Sequence, residues 1–124
     1  METLIMIAIG GGIGSVTRYL TSVWAAGKFG ADFPYGTLIV NVVGCYLIGL
    51  FMVIATERFI LPPHVRLLVA SGFLGGLTTF SSFGYETLKL MQDGALFPAI
   101  QNIAANLFIG LSATWLGIIC ARSL

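Results

Sequence analysis

Phe80 and Phe83 stand three residues apart at the end of the stretch Gly72-Phe73-Leu74-Gly75-Gly76-Leu77-Thr78-Thr79-Phe80-Ser81-Ser82-Phe83. On a helix that spacing puts both rings on one face, about one turn apart. An aromatic ring has a positive edge, so two such edges can serve a small species passing along that face. Four hydroxyls surround them, on Thr78, Thr79, Ser81 and Ser82, together with three glycines. Glycine costs roughly 1 kcal/mol relative to alanine inside a helix. Ser and Thr side chains compete with the helix ladder for backbone hydrogen bonds. The stretch therefore predicts a third helix interrupted near the membrane midplane, offering carbonyls, hydroxyls and ring edges. Broken backbone at that depth persists only where protein buries it or where it lines a watery cavity.

Other polar residues lie in apolar surroundings. Asn41 carries two amide donors; its alternative use is an interhelical hydrogen bond, worth about 0.6 kcal/mol between membrane helices. Arg18 is costly in a bilayer unless it snorkels or faces a cavity, so it serves either as an interfacial anchor or at an anion-attracting vestibule. Thr114 adds a hydroxyl in the last apolar run, and Glu86 reads as a structural hydrogen-bonding group. His64 has no second His or Cys at ligand spacing, which argues against a metal site of that kind. No nucleophile, base and orienting group can be assembled, so the chain does not read as an enzyme.

The elements that position these residues follow from composition. Hydrophobic residues make up 57% of the 124-residue chain and charged residues 9%, against about 25% charged in a soluble domain. A chain this short cannot bury so much apolar surface in water, which makes it an all-α membrane protein. A span needs about 20 apolar residues, and four are expected, near Thr3–Ala26, Tyr35–Ala55, Val65–Leu90 and Ala95–Ala121, as one domain over 1–124. Polar or turn-rich breaks separate them, from Gly27 to Pro34, from Glu57 to Pro63 and from Gln92 to Gly94. With Glu2 and no Lys or Arg ahead of the first apolar run, that span is expected to stay attached. Cys45 and Cys120 read as small buried hydrophobes. A net charge of +1 lacks the basic clusters of a nucleic-acid partner.

With four spans, Arg58, Arg66 and Arg122 fall on one side and Lys28, Lys89 and Arg18 on the other. This balance removes the orientation preference that an excess of Lys and Arg would impose. Either six charges are too few to set an orientation, or the chain inserts both ways, which permits an antiparallel dimer; the second is the expectation. Four short spans enclose little interior, which also favours oligomerisation. Glycines in the first span (Gly10, Gly11, Gly12, Gly14), the second (Gly36, Gly44, Gly49) and the fourth (Gly110, Gly117) are expected to be packing contacts, since small residues let membrane helices approach closely.

The strings Gly36-Thr37-Leu38-Ile39-Val40-Asn41-Val42-Val43-Gly44 and Gly72 through Phe83 closely resemble those of the Fluc (CrcB) fluoride channels. The match includes Gly10 through Arg18 and Tyr85-Glu86-Thr87, and the length and four-span layout agree. The resemblance implies an antiparallel, dual-topology homodimer in the bacterial inner membrane, surrounded by lipid. It implies two fluoride pores per dimer and a structural sodium ion (Na+) at the dimer centre. Asn41 is similar to the pore-lining amide, Phe80 and Phe83 to the phenylalanines whose edges face fluoride, and Ser81 and Thr114 to further pore hydroxyls. Gly75 and Thr78 resemble the residues whose backbone carbonyls hold sodium, and Arg18 the vestibule arginine. Asn106 is expected to line the pore on the same fourth-span track as Thr114, although Asn106 and Asn102 stand where a Ser and a Tyr are often found, and Gly110 where a further hydroxyl is common.

Fluoride is small and strongly hydrated, so a pore must replace its water with dense donors. The amide of Asn41 and the hydroxyls of Thr79, Ser81, Ser82 and Thr114 supply them. Taken by themselves, two phenylalanines on a membrane helix are packing residues; the resemblance assigns them the ion. A small proton-coupled multidrug exporter would share the length and span number. It would need a carboxylate within the first span, which has only Glu2 at its start. The balanced charges predict that C-terminal reporter tags appear on both sides of the membrane. Several Lys added to residues 28–34 should drive every copy into one orientation and reduce transport; full activity with uniform orientation would contradict the antiparallel arrangement.

Overall fold

Helix α1 (Glu2–Phe29) opens the chain. Glu2 in its first turn and Lys28 in its last both suit the helix dipole. It ends at Gly30, whose φ of 90° is a conformation that glycine adopts without a steric penalty. Helix α2 (Tyr35–Arg58) follows Pro34 and closes in wider π-type turns over Ile54–Arg58. Pro63 occupies the first position of α3 (Pro63–Gln92), where its missing N–H is no loss. Gly94, at φ 82°, turns the chain into α4 (Leu96–Arg122). This computed structural model describes residues 1–124 and is helical throughout, with four helices long and apolar enough to cross a membrane. The four expected spans fall on these helices; the first break begins at Gly30, because Gly27 and Lys28 remain helical.

Helix α3 is not regular along its length. Leu67–Leu74 has π-type turns, Gly75–Leu77 returns to α geometry, and Thr78 and Thr79 are extended, with ψ 155° and 122°. Helix resumes at Phe80 and runs to Gln92. The restart is capped by Thr79, whose Oγ1 accepts from the Ser82 N–H at 3.1 Å, as a helix N-cap side chain does.

Packing divides the molecule into two close pairs. Helix α1 lies against the first half of α3, and α2 lies against α4, while the second half of α3 leans on the first half of α4. Glycines set both contacts. A Cβ at Gly14 would overlap the Phe73 carbonyl oxygen, and one at Gly76 the Gly11 carbonyl oxygen. Between α2 and α4, a Cβ at Gly49 would strike the Thr114 carbonyl and one at Gly117 the Tyr46 carbonyl. The packing role expected for the glycines thus holds at these positions and at Gly10, Gly36 and Gly44; Gly12 has no neighbour within 4 Å, and Gly110 meets only Cys45 Sγ at 3.5 Å.

At one end of the bundle Arg58 Nε donates to Ala121 O at 3.3 Å and Arg58 Nη2 donates to Arg122 O. Arg122 in turn pairs with Glu57 at 3.0 Å. These bonds place the ends of α2 and α4 on one side, as the four-span count requires. The pair itself is exposed and screened by solvent, so it adds little. Only 20 of the 124 residues are buried, and Ile5, Ile9, Ile13, Val16 and Leu20 on α1 all face outward. Such an apolar exterior fits lipid or a partner rather than water. Cys45 and Cys120 are free thiols, half-buried rather than in the core, because the core between so few helices is thin.

These close approaches predict that Gly49→Ala and Gly117→Ala each destabilise the bundle by about 1–3 kcal/mol, the usual cost of overpacking. Gly27, with nothing within 4 Å of its Cβ direction, should accept Ala without loss, since alanine is the better helix former. Thermal unfolding in detergent measures the difference; equal melting of all three variants would refute the glycine contacts.

Candidate functional site

The extended pair Thr78–Thr79 breaks the ladder of α3, and its backbone groups find partners elsewhere. In an unbroken helix the Thr79 N–H would bond Gly75 O. Here it donates to Asn41 Oδ1 at 2.8 Å. The Thr79 carbonyl accepts from Asn41 Nδ2 at 3.1 Å. Asn41, 38 residues away on α2, thus satisfies both backbone groups of Thr79. The Ser82 N–H, which would bond Thr78 O, goes to Thr79 Oγ1. Gly75 O and Thr78 O thereby lose their regular helical donors. Thr78 Oγ1 donates to Leu74 O at 3.0 Å, so its hydroxyl is occupied while its carbonyl is not.

Asn41, Asn106, Phe80, Phe83, Gly75, Thr78 and Thr79 together line an open-sided cavity of about 580 Å³. Its remaining walls are mostly apolar, among them Ile48, Leu74, Ile103 and Leu107. The two rings are in contact, with centroids 5.4 Å apart and planes at 53°. Phe80 is 81% exposed, so much of its ring has no cover from its own chain. The cavity brings most of the residues singled out in the sequence into one place.

Arg18, Ser81, Ser82 and Thr114 sit outside its lining. Arg18 Nε donates to Gly76 O at 3.1 Å, which ties α1 to the segment just before the break. Ser81 is exposed, with its Oγ 3.2 Å from Thr79 Oγ1. Thr114 Oγ1 donates to Gly110 O at 3.2 Å, back into its own helix. Glu86 lines a second, smaller cavity of about 160 Å³ with Ser22 and Thr37. Its Oε1 is buried without a partner, so this oxygen does not form the structural hydrogen bond expected of Glu86.

A polar network adds residues to which the sequence assigned no role in holding the site. Asn41 Nδ2 also donates to Asn106 Oδ1 at 2.9 Å. Asn106 Nδ2 donates to Asn102 O at 2.9 Å and to Asn102 Oδ1 at 3.0 Å. Asn102, wholly buried, donates from Nδ2 to Thr87 Oγ1 at 2.9 Å, and Thr87 Oγ1 donates to Phe83 O at 2.7 Å. A usable signal was present: Asn102 and Asn106 are four apart, and residues at that spacing share a helix face. Thr87 is likewise four residues beyond Phe83.

No group of three or more His, Cys, Asp or Glu could hold a metal ion. Carbonyl oxygens are the relevant hard donors here, and unwound membrane helices use them to hold sodium. Gly75 O and Thr78 O, stripped of helical donors and set at the cavity, fit such an ion.

Residues 5–118 match the family described as CrcB-like protein, Camphor Resistance (CrcB). The chain is 47% identical to the fluoride-specific ion channel FluC of Citrifermentans bemidjiense over the full length of both chains. It is 47% identical to the protein of that name from Geobacter metallireducens, again over both full lengths. The fluoride-specific ion channel FluC of a Sulfurihydrogenibium species is 48% identical, also over both full lengths. With the model matching nearly the whole chain and relatives of this identity along all of it, the chain belongs to the CrcB family.

Proposed function

We propose that this chain is a multi-pass membrane protein that conducts fluoride passively; its relatives are named fluoride-specific ion channels. It is a channel and not an enzyme. The observation that supports this best is the cavity in which Phe80, Phe83, Asn41 and Asn106 meet beside the capped restart of α3. The first turn of the Phe80–Gln92 segment carries the positive end of a helix dipole. Ring edges and nearby hydroxyls add positive potential without any fixed charge. A weakly polar site of this kind suits a small anion that can shed its water. Larger anions meet the same apolar walls with too few donors.

The functional unit we propose is an antiparallel, dual-topology homodimer with two pores, in the bacterial inner membrane. The open side of the cavity and the exposed Phe80 ring support a second copy as the missing wall. The extended residues Thr78 and Thr79 lie near the middle of the third span and form its interruption. Gly75 O and Thr78 O are the groups that would hold a structural sodium ion (Na+) between the two copies, where it would supply a positive charge beside the broken helices. Asn41 contributes by taking the Thr79 N–H away from Gly75 O. Arg18, bonded to Gly76 O, steadies the same segment from the α1 side. A proton-coupled drug exporter gains no support, because α1 carries its one carboxylate, Glu2, in its first turn, and the charged residue in its interior is Arg18.

Purified protein in liposomes should release fluoride down its gradient, retain chloride, and need no pH gradient. Equal chloride release, or dependence on a pH gradient, would rule the channel out. Phe83→Ile keeps bulk but removes the ring edge; if that edge is worth about as much as an aromatic pair, about 0.5–1.5 kcal/mol, fluoride flux should fall by about two- to tenfold with the elution profile unchanged. Parent-like flux in that variant would mean the edge plays no part. Replacing sodium by a large organic cation should lower both flux and dimer stability, and no change in either would remove the central cation from the proposal.

A further inference from the structure

Asn41 has no free donor. Its two amide hydrogens go to Thr79 O and Asn106 Oδ1, whereas an anion path calls for a donor that faces the ion. The direction of every bond around it is set by backbone groups. The Thr79 N–H can only donate, so Asn41 turns its oxygen there and its nitrogen toward Asn106. The Asn102 carbonyl can only accept, so Asn106 turns its nitrogen there and its oxygen toward Asn41. The Asn102 side chain repeats that constraint, since its Oδ1 accepts from Asn106 while its Nδ2 is spent on Thr87. Amides can in general be placed either way round; these two cannot be reversed without opposing donor to donor.

We propose that Asn106 is a resident competitor for the anion, its side-chain oxygen occupying the Asn41 N–H that fluoride takes in passing, and that Asn102 is the positioning residue that keeps this oxygen in place. The inference rests on the fluoride-channel reading above. Hydrogen bonds to an ionised acceptor are roughly twice as strong as those to a neutral one, so fluoride displaces the amide oxygen. When the ion moves on, the oxygen returns and Asn41 is satisfied again. Conduction needs binding that is favourable enough to enter and weak enough to leave, and the competitor lowers the residence of the ion at Asn41. Both amides line the 580 Å³ cavity, which leaves Asn106 room to swing. It also sits in the π-type turns at Ala105–Ile109, the one irregular stretch of α4; such turns recur at functional sites.

The test is fluoride efflux from liposomes measured against fluoride concentration, with size-exclusion elution recorded for every variant. Asn106→Ala removes the competitor and should lower the half-saturating fluoride concentration by about three- to tenfold, the equivalent of one net hydrogen bond. Asn102→Ala leaves Asn106 only its backbone anchor, so the shift should have the same sign and be smaller. A residue that merely donates to fluoride, or merely supports the fold, would give a raised or unchanged value, and either result in a variant eluting like the parent overturns the proposal. Should Asn106→Ala fail to fold, Asn106→Val is judged by the same sign, since it keeps bulk and offers Asn41 no oxygen. A parent that releases no fluoride defeats the channel reading and the competition together; a conducting parent with no downward shift in Asn106→Ala defeats the competition alone.

Discussion

Inside an apolar span a peptide group without a hydrogen-bond partner costs several kcal/mol, and Thr79 has given up its helical partners. Asn41 meets that cost by standing in for a peptide, accepting from the Thr79 N–H and donating to the Thr79 carbonyl. No apolar side chain on α2 could do this, and a hydroxyl could serve only with less favourable geometry than the flat amide. The other unusual features of the site follow from this one exchange. Gly75 O is left bare because its donor now faces Asn41. The helix can restart at Phe80 because Thr79 is held extended with its hydroxyl over the Ser82 N–H.

The restart controls where the aromatic rings stand. Phe80 and Phe83 belong to the first turn after the cap, so their position relative to α2 depends on the Thr79 anchor rather than on packing of their own rings. Thr87, one turn further on, receives Asn102 and joins α4 to the same segment. The result is a polar seam connecting α2, α4 and the second half of α3, in a bundle whose remaining contacts are apolar and small. The seam is closed by its own members, which is how amides survive away from water.

The glycines serve a complementary purpose. They bring backbone against backbone at α1–α3 and α2–α4, where lipid tails supply no hydrophobic drive and close van der Waals contact must hold the helices. This arrangement leaves broad apolar faces outward and an open cavity beside Phe80. A bundle so thin has no room to enclose an ion path by itself, which is the physical reason that a second copy enters the proposed functional unit.

Four helices, their approximate ends and their apolar exterior were legible in the sequence, because hydropathy and length act along the chain. The weakness of the helix around Thr78 and Thr79 was legible too, since three glycines and four hydroxyls in one short stretch weaken a helix wherever it lies. Asn41 could be singled out as polar in an apolar run, but its chemistry was open between pore donor and interhelical tie. Only the tertiary structure decided that it spends its amide on Thr79 and Asn106, because that depends on a partner 38 residues away reaching hydrogen-bond distance. The same holds for Arg18, which ends on Gly76 O, for Asn106, which was expected along the pore, and for Asn102, which the sequence marked only as unusual. Residue type determined which groups needed a partner; the packing of α2, α3 and α4 determined which partner each one received.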